Sequence, residues 1–189
     1  MSENKIKFYL NDKKVEALQD ETIWQVANRL GTEIPHLCYA NKPGYRADGN
    51  CRACMVEIEG ERVLAASCIR KPTNEMKVNT SSEKAKKSRE LVFELLLSDQ
   101  PERDISHDND SKFWNWIDKV EVKESRFPKK TPCQSDTSHP SMAVNLDACI
   151  QCNLCVRACR EVQVNDVIGM AYRGENSKIV FDFDDPMGD

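Results

Sequence analysis

The sequence predicts an α+β fold, in which a small sheet domain is followed by a helical spacer and a cysteine-rich segment. Alternating apolar residues indicate strands in the N-terminal part, whereas apolar residues at helical spacing indicate helices in the middle. Eight of the nine cysteines fall into two groups, at residues 38–68 and 149–159. We therefore expect three segments, with bounds at 1–80, 81–140 and 141–189.

The first segment begins with a hairpin and a capped helix. Residues 6–10 alternate as a strand does, residues 11–12 favour a turn, and residues 15–18 form the returning strand. Thr22 is then placed to cap a helix, and Gln25 completes a capping box three residues later. A hairpin followed by a helix and a cysteine loop is typical of a β-grasp domain, although the pattern also fits any small α+β domain.

The remaining strands and the spacer helices follow from the same patterns. Residues 55–59 and 62–66 pair naturally as a hairpin, and residues 76–79 add a last strand. Ser82 can cap the first spacer helix, whose early turns are rich in Lys and Arg and are expected to form a solvated face. A second, short helix near residues 113–120 has an aromatic stripe, which we assign to the core.

Composition narrows the classes of function. The net charge of −4 gives no basic footprint for nucleic acid, and no apolar run approaches the length of a membrane span. Residues 1–5 are polar and no apolar signal segment follows them, so we expect a cytoplasmic protein. Nine cysteines are many for a reducing compartment, and this number favours the binding of metal or clusters.

The first cysteine group has the spacing of a 2Fe–2S site. Its members are Cys38, Cys51, Cys54 and Cys68. Plant-type sites use one early cysteine, a Cys-x2-Cys pair and a distant last cysteine. Small residues such as Gly44 and Gly49 let backbone N–H groups approach the cluster. A four-cysteine zinc site, unliganded thiols and disulfides are the alternatives, although a zinc site usually has two Cys-x2-Cys pairs and disulfides need an oxidising compartment. We expect His36 to be a loop residue beside the site.

The second cysteine group predicts a 4Fe–4S cluster. The Cys-x2-Cys-x2-Cys-x3-Cys run of bacterial ferredoxins is formed by Cys149, Cys152, Cys155 and Cys159. In two-cluster ferredoxins the fourth cysteine ligates the other cluster. Either Cys159 or the isolated Cys133 therefore completes this site, or the missing half lies on further sequence. Zinc and redox thiols are the alternatives, and the helix that carries the last cysteine is expected to begin near Val156.

No motif for substrate chemistry accompanies these cysteines. The sequence has no G-x-G-x-x-G fingerprint, no P-loop and no motif that suggests a Ser–His–Asp or Cys–His arrangement. Two types of cluster in one chain favour electron transfer, and we predict no catalytic residue. The competing interpretations are a structural zinc module without a redox role and a subunit whose clusters only shape a docking surface.

The chain as a whole resembles a known group of iron–sulfur subunits. The first cysteine spacing looks like the N-terminal 2Fe–2S domain of the large iron–sulfur subunit of respiratory complex I, which also occurs in iron-only hydrogenases and NAD-dependent formate dehydrogenases. Residues 145–170 and 178–188 resemble the alpha subunit of molybdenum- or tungsten-containing NAD-dependent formate dehydrogenases still more closely. In that subunit a second Cys-x2-Cys-x2-Cys-x3-Cys-Pro run and a large molybdopterin domain follow.

The resemblance implies an electron-transfer module that works between a formate-oxidising molybdopterin centre and a flavin/NAD-binding partner subunit. A hydrogenase or a complex-I-like NADH dehydrogenase is the alternative context. Many relatives also carry a His–Cys-ligated 4Fe–4S cluster in the spacer. Gln100 stands in place of that histidine, and Asp104 and His107 stand where cysteines are expected, so the resemblance implies that this cluster is missing. The chain would then be a fragment of a longer subunit or a separately encoded small one.

Overall fold

The computed structural model describes residues 5–188 and, for Asp182, only the backbone. Its strands are β1 (Ile6–Leu10), β2 (Lys13–Ala17), β3 (Met55–Ile58), β4 (Ala65–Ala66), β5 (Lys77–Asn79), β6 (Ile168–Ala171) and β7 (Lys178–Phe181). Its α-helices are α1 (Ile23–Arg29), α2 (Glu83–Ser98), α3 (Lys112–Val120) and α4 (Leu154–Arg157), and a π-helical turn at Ala158–Val162 continues α4. The chain divides into two compact units, formed by residues 5–39 with 47–93 and by residues 40–46 with 94–188.

A mixed sheet organises the first unit. Its order is β2-β1-β5-β3-β4, with β1 and β5 parallel and the other neighbours antiparallel. The turn between β1 and β2 uses Asn11 and Asp12, whose φ angles of 49° and 64° lie in the left-handed region that short polar side chains tolerate. The strands predicted at residues 6–10, 15–18 and 76–79 are confirmed to within two residues at each end.

The strand predicted at residues 62–66 is shorter than expected. Only Ala65 and Ala66 pair with β3. The carbonyl oxygen of Arg62 instead accepts a hydrogen bond of 2.8 Å from Nζ of Lys84 on α2. Arg62 and Val63 form a bend, so the chain joins the ladder only at Ala65 and Ala66 before it turns towards the fourth cysteine of the first group.

Helix α1 packs on the sheet and confirms the predicted capping box. Oγ1 of Thr22 accepts a hydrogen bond from the backbone N–H of Gln25 (3.3 Å), and Oε1 of Gln25 accepts one from the N–H of Thr22 (2.8 Å). Ile23, Val26 and Ala27 are fully buried. They share one hydrophobic core with the inward-facing residues of the strands, among them Phe8, Leu10, Ala17, Val56, Ile58 and Val78.

Helix α2 corrects one expectation about its charged residues. Ser82 caps the helix as predicted, since its Oγ accepts a hydrogen bond of 3.2 Å from the N–H of Ala85. The basic residues of the early turns were expected to face solvent, but Arg89 is only 7% exposed. Arg89 lies one helical turn after Ala85 and one before Phe93, and both of these are fully buried. It therefore occupies the inward-facing stripe of the helix.

The second unit is built from short elements. In α3 the predicted aromatic stripe is confirmed as core, because Phe113, Trp114 and Ile117 are all at most 5% exposed. Strands β6 and β7 form an antiparallel hairpin. Helix α4 begins at Leu154, two residues before the expected Val156. Among the helices of residues 5–188, none combines the length and the apolar composition that a membrane crossing needs.

Candidate iron–sulfur sites

Four cysteines of the first unit come together from separate stretches of chain. We call Cys38, Cys51, Cys54 and Cys68 the first cysteine site. One lies in the loop after α1, two lie in the loop that enters β3, and the last follows β4. Cys38, Cys54 and Cys68 are at most 1% exposed, while Cys51 is half-buried. The sheet and α1 thus hold the four sulfurs at one end of the hydrophobic core.

The sulfurs of the first cysteine site interact directly. The pKa of Cys38 is lowered because the thiol of Cys51, and then that of Cys68, hydrogen-bonds to its sulfur. Contact with Cys68 likewise lowers the pKa of Cys54. The pKa of Cys51 is raised by its bond to Cys38, and that of Cys68 by its bonds to Cys38 and Cys54. Each contact between two sulfurs thus lowers the pKa of one cysteine and raises that of its partner, and a bound metal would take the place of the shared protons.

Backbone geometry shapes the loop that carries Cys51. The N–H of Cys51 donates to Sγ of Cys38 at 3.3 Å. Gly49 is buried with φ of +62°, and a Cβ there would lie 2.9 Å from Cδ1 of Ile69. Arg52 also has positive φ, 60°. Left-handed residues on either side of Cys51 turn the loop tightly and aim an N–H group at sulfur, as an iron–sulfur site requires.

A serine and the first turn of α1 fix the other two cysteines. The carbonyl oxygen of Cys54 accepts hydrogen bonds from Oγ (2.8 Å) and N (3.2 Å) of Ser67, which is fully buried. The N–H of Trp24 donates to the carbonyl of Ser67, and the N–H of Ile23 donates to that of Arg70, both at 2.9 Å. Helix α1 thereby uses two unpaired N–H groups of its first turn to hold the turn around Cys68.

An aromatic group lies beside Cys38. The ring of Trp24 meets the rings of His36 and Tyr39 edge-on, at centroid distances of 4.4 Å and 5.0 Å. Nδ1 of His36 lies 3.2 Å from the carbonyl oxygen of Ile34. Burial raises the pKa of Tyr39, whose hydroxyl accepts a hydrogen bond of 3.1 Å from Nε2 of Gln25. His36 thus packs against an indole ring, in a loop position such as the sequence predicts.

The cysteines of the second unit form a more open group. We call Cys149, Cys152, Cys155 and Cys159 the second cysteine site. Cys155 is exposed, Cys149 and Cys152 are half-buried, and Cys159 is buried. The N–H of Gln151 donates to Sγ of Cys149 at 3.4 Å, and the N–H of Val167 donates to Sγ of Cys159 at 3.3 Å. Positive φ angles at Gln151 (51°) and Asn153 (61°) curl the loop around its sulfurs.

The structure brings Cys133 to this second site, although the sequence left it isolated. Cys133 and Cys149 line one cavity, together with Lys130 and Lys178. Burial raises the pKa of Cys149, and the thiols of Cys155 and Cys133 act in the same direction while Lys130 opposes them. Burial also raises the pKa of Cys155, and the nearby thiol of Cys152 raises it further. Cys133 therefore shares a cavity with one cysteine of the second cysteine site.

Three residues support the cysteine sites through hydrogen bonds that the sequence did not predict. Ser67 and Arg89 lie beside the first cysteine site, and the buried Gln100 donates from Nε2 to the carbonyl of Cys149 at 3.4 Å in the second. Only Arg89 had a usable signal, namely its helical spacing from two apolar residues. Ser67 and Gln100 act through contacts with carbonyl groups 13 and 49 residues away, which no local pattern reveals.

Sulfur dominates the donor set of both sites. Thiol donors suit soft metal centres, either iron–sulfur clusters or zinc. Within residues 5–188, no three Cys, His, Asp or Glu side chains form a group that could hold one metal ion. In the first site the sulfurs instead meet in pairs, Cys38 with Cys51 and with Cys68, and Cys54 with Cys68. Three buried sulfurs and one half-buried sulfur, with an N–H group directed at Cys38, fit a 2Fe–2S cluster.

Known proteins resemble this chain over most of its length. Residues 3–83 match the family of 2Fe–2S iron–sulfur cluster binding domains. A subunit of the NADH-quinone oxidoreductase of Rickettsia felis is 27% identical over 184 residues, which cover 92% of this chain and 26% of the relative. The HndD subunit of the NADP-reducing hydrogenase of Solidesulfovibrio fructosivorans is 31% identical over 172 residues, which cover 87% and 29%. The chain therefore spans between a quarter and a third of these relatives.

A solved structure shares the fold. A chain in the crystal structure of an NAD+-reducing [NiFe]-hydrogenase in the H2-reduced state superposes with a TM-score of 0.81 and 25% sequence identity. The match covers 93% of this chain and 74% of the hydrogenase chain. Together with the matched domain, this likeness confirms a mixed α/β fold with a 2Fe–2S ferredoxin domain. Residues 3–83 thus carry the match to a 2Fe–2S iron–sulfur cluster binding domain, and the chain is similar over most of its length to subunits of an NADH-quinone oxidoreductase and of hydrogenases.

Proposed function

We propose that this chain is an iron–sulfur electron-transfer module of a nicotinamide-dependent oxidoreductase. The observation that carries the proposal is the first cysteine site, where four largely buried sulfurs meet inside the matched 2Fe–2S domain. When bound, a 2Fe–2S cluster supplies one-electron redox chemistry. The chain's own part is to hold the thiolates, exclude water from three of them and direct backbone N–H groups at sulfur. Such chemistry belongs in a reducing compartment, for which we propose the cytoplasm.

In the proposal, Cys38, Cys51, Cys54 and Cys68 are the ligands of the 2Fe–2S cluster. The lowered pKa values of Cys38 and Cys54 favour the thiolate form that metal binding requires. The N–H of Cys51 stabilises the Cys38 thiolate, and Ser67 fixes the backbone of Cys54. Any of the four cysteines that is protonated would lose its proton to solvent on metal binding.

The second cysteine site is proposed to hold a 4Fe–4S cluster. Cys149, Cys152 and Cys155 supply three thiolates from one curled loop. Cys159 is proposed as the fourth ligand, because it is buried and already accepts an N–H hydrogen bond at its sulfur. Cys133 is the alternative fourth donor, since it lines the same cavity as Cys149.

Two contexts for electron transfer follow from different observations. The resemblance at residues 145–170 favours a module that links a formate-oxidising molybdopterin centre with a flavin/NAD-binding subunit. The relatives named above instead favour a hydrogenase or an NADH-oxidising complex. Reconstitution with NAD+ and purified candidate subunits distinguishes them. Reduction of the clusters by formate, by H2 or by NADH identifies which centre donates electrons.

The first test is metal analysis of the full chain purified under anaerobic conditions. We expect about six irons and a matching amount of acid-labile sulfide, with two distinct EPR signals after reduction by dithionite. About two irons with one signal would limit the proposal to the first cysteine site. Stoichiometric zinc without labile sulfide would overturn electron transfer and establish the zinc alternative.

Serine variants assign the ligands. Cys54→Ser should abolish the 2Fe–2S signal and keep the 4Fe–4S signal, whereas Cys152→Ser should do the reverse. Cys159→Ser and Cys133→Ser form a matched pair for the fourth position. We expect Cys159→Ser to lose the iron of the 4Fe–4S cluster and Cys133→Ser to keep a normal iron content. The opposite result would assign Cys133 as the ligand.

A further inference from the structure

Arg89 is an unusual buried cation beside the first cysteine site. Its side chain is 7% exposed, and it lies on α2 between the fully buried Ala85 and Phe93. A buried guanidinium stays protonated, and its burial is costly unless an anion or several acceptors compensate the charge. The charge of Arg89 therefore needs an explanation from its surroundings.

Arg89 forms its hydrogen bonds directly beside Cys54, a ligand of the proposed cluster. Nε and Nη2 both donate to the carbonyl oxygen of Met55, at 3.0 Å and 2.6 Å. Met55 directly follows Cys54 in the chain, so this bond fixes the guanidinium next to the entry of β3. Among residues 5–188, no carboxylate forms an ion pair with Arg89.

Electrostatic interactions also connect Arg89 with Cys54. Burial lowers the pKa of Arg89, and the negative sulfur of Cys54 is the charge that acts in the opposite direction. The carbonyl oxygen supplies only a partial negative charge. The sulfur of Cys54, which directly precedes Met55 in the chain, is thus the negative group that partly offsets the charge of this cation.

We propose that Arg89 raises the reduction potential of the 2Fe–2S cluster by stabilising the negative charge gained on reduction. This inference rests on the ligand assignment in the proposed function. Four thiolates give the site a net negative charge, and one added electron increases it. A fixed positive charge in a water-poor region stabilises the reduced state more than the oxidised one, because screening there is weak. Arg89 acts through the charge balance of the site.

The test compares variants that separate charge from hydrogen bonding. Arg89→Gln keeps an N–H donor for the carbonyl of Met55 but removes the charge, whereas Arg89→Lys keeps the charge. Lys87→Gln is the matched control, because Lys87 is exposed on the same helix. The full chain is titrated with dithionite, and the 2Fe–2S signal is followed by EPR at temperatures where 4Fe–4S signals are broadened.

We expect Arg89→Gln to lower the ratio of reduced to oxidised 2Fe–2S cluster about tenfold at a fixed solution potential, which is about 59 mV for one electron. Arg89→Lys and Lys87→Gln should stay near the wild-type potential. An unchanged potential in Arg89→Gln, with normal iron, would overturn the proposal. If Arg89→Gln assembles no cluster, Arg89→Lys decides: a cluster at the wild-type potential supports the role of charge, and failure to assemble shows that the guanidinium is needed for folding instead.

Iron content separates this inference from the proposed function. A wild-type chain without a 2Fe–2S signal would contradict the ligand assignment itself. A wild-type signal whose potential does not depend on Arg89 would contradict only the role of this residue.

Discussion

The two cysteine sites depend on the fold in different ways. The first draws its sulfurs from three stretches of chain and buries three of them almost completely. The second takes its four sulfurs from residues 149–159, and their exposure ranges from buried to exposed. A site assembled across a sheet requires the whole unit to fold, whereas a site on one loop requires mainly local backbone geometry. Mutations far from sulfur should therefore affect the first site more than the second.

The largest effect is expected from Phe8→Ala. Phe8 is fully buried in the core of the first unit, and removal of such a ring costs about 3–5 kcal/mol in free energy of unfolding. We expect the 2Fe–2S signal to disappear while the 4Fe–4S signal remains. Iron analysis and EPR of the full chain measure both. Phe183→Ala is the control, because that ring is 94% exposed and should leave both signals unchanged.

A parallel loss of both clusters in Phe8→Ala would contradict the comparison. It would show that the second site needs the first unit to be folded, despite the local origin of its sulfurs. Loss of the second signal alone would contradict the burial argument altogether, since Phe8 lies in the core beside the first site.

The next effect concerns one glycine in the first site. In Gly49→Ala the new Cβ would meet Cδ1 of Ile69 at 2.9 Å, and its φ of +62° disfavours any L side chain. We expect a loss of about 1–3 kcal/mol, mostly from backbone strain because the exposed end of the Ile69 side chain can shift, with a lower content of 2Fe–2S iron. Gly60→Ala tests strain alone, since Gly60 has φ of +83° and no atom within 4 Å of the added Cβ.

Chemical denaturation and iron analysis of the two glycine variants check this prediction. Gly60→Ala should lose about 1–2 kcal/mol and keep its iron. Equal losses in the two variants would mean that the loop relaxes around Ile69, and that close packing beside Cys51 is unimportant for the site.

The sequence predicts local features of this protein better than contacts between residues that are far apart in the chain. The capping box of Thr22 and the first hairpin are encoded in adjacent residues, so their prediction was confirmed. The pairing of β1 with β5 joins residues almost seventy positions apart and had no local signal. Both cysteine groups could be recognised from the spacing of their cysteines in the sequence, because every proposed ligand in them is a thiolate. The burial of Arg89 was not foreseen, because a basic residue in a basic turn normally faces water.

A smaller effect is expected in the second site from Gln100→Ala. Gln100 is 5% exposed, and its Nε2 donates to the carbonyl of Cys149 at 3.4 Å. Loss of this long hydrogen bond and its packing should cost about 1 kcal/mol and lower the 4Fe–4S iron content modestly. Gln134→Ala, at an exposed position of the same unit, is the control. An equal decrease of the 2Fe–2S signal would show that the variant acts on the whole chain.

The smallest effect is expected from the loss of an ion pair in the first unit, between Glu21 and Arg29. Glu21 accepts hydrogen bonds from Nε (3.0 Å) and Nη2 (2.8 Å) of Arg29, and Arg29 lowers the pKa of Glu21 below its ordinary value of 4.5. A carboxyl group whose pKa is lowered by folding stabilises the protein above its unfolded pKa, and this contribution disappears as pH falls through the folded value. Glu21→Gln should therefore cost about 0.5–1 kcal/mol at neutral pH, a small amount because Arg29 is 44% exposed and solvent screens the pair.

This difference between Glu21→Gln and the wild type should shrink towards zero as denaturation is repeated at pH values below about 4. Glu75→Gln is the control, because the pair of Glu75 with Lys14 is half exposed at both ends and should contribute almost nothing. A difference that persists in acid would mean that the charge of Glu21 is not the cause, and that the glutamine fails to replace the hydrogen bond that Glu21 accepts from the N–H of Leu18. In either case the 2Fe–2S signal should be retained, because the first site depends on buried sulfur and apolar packing far more than on surface charge.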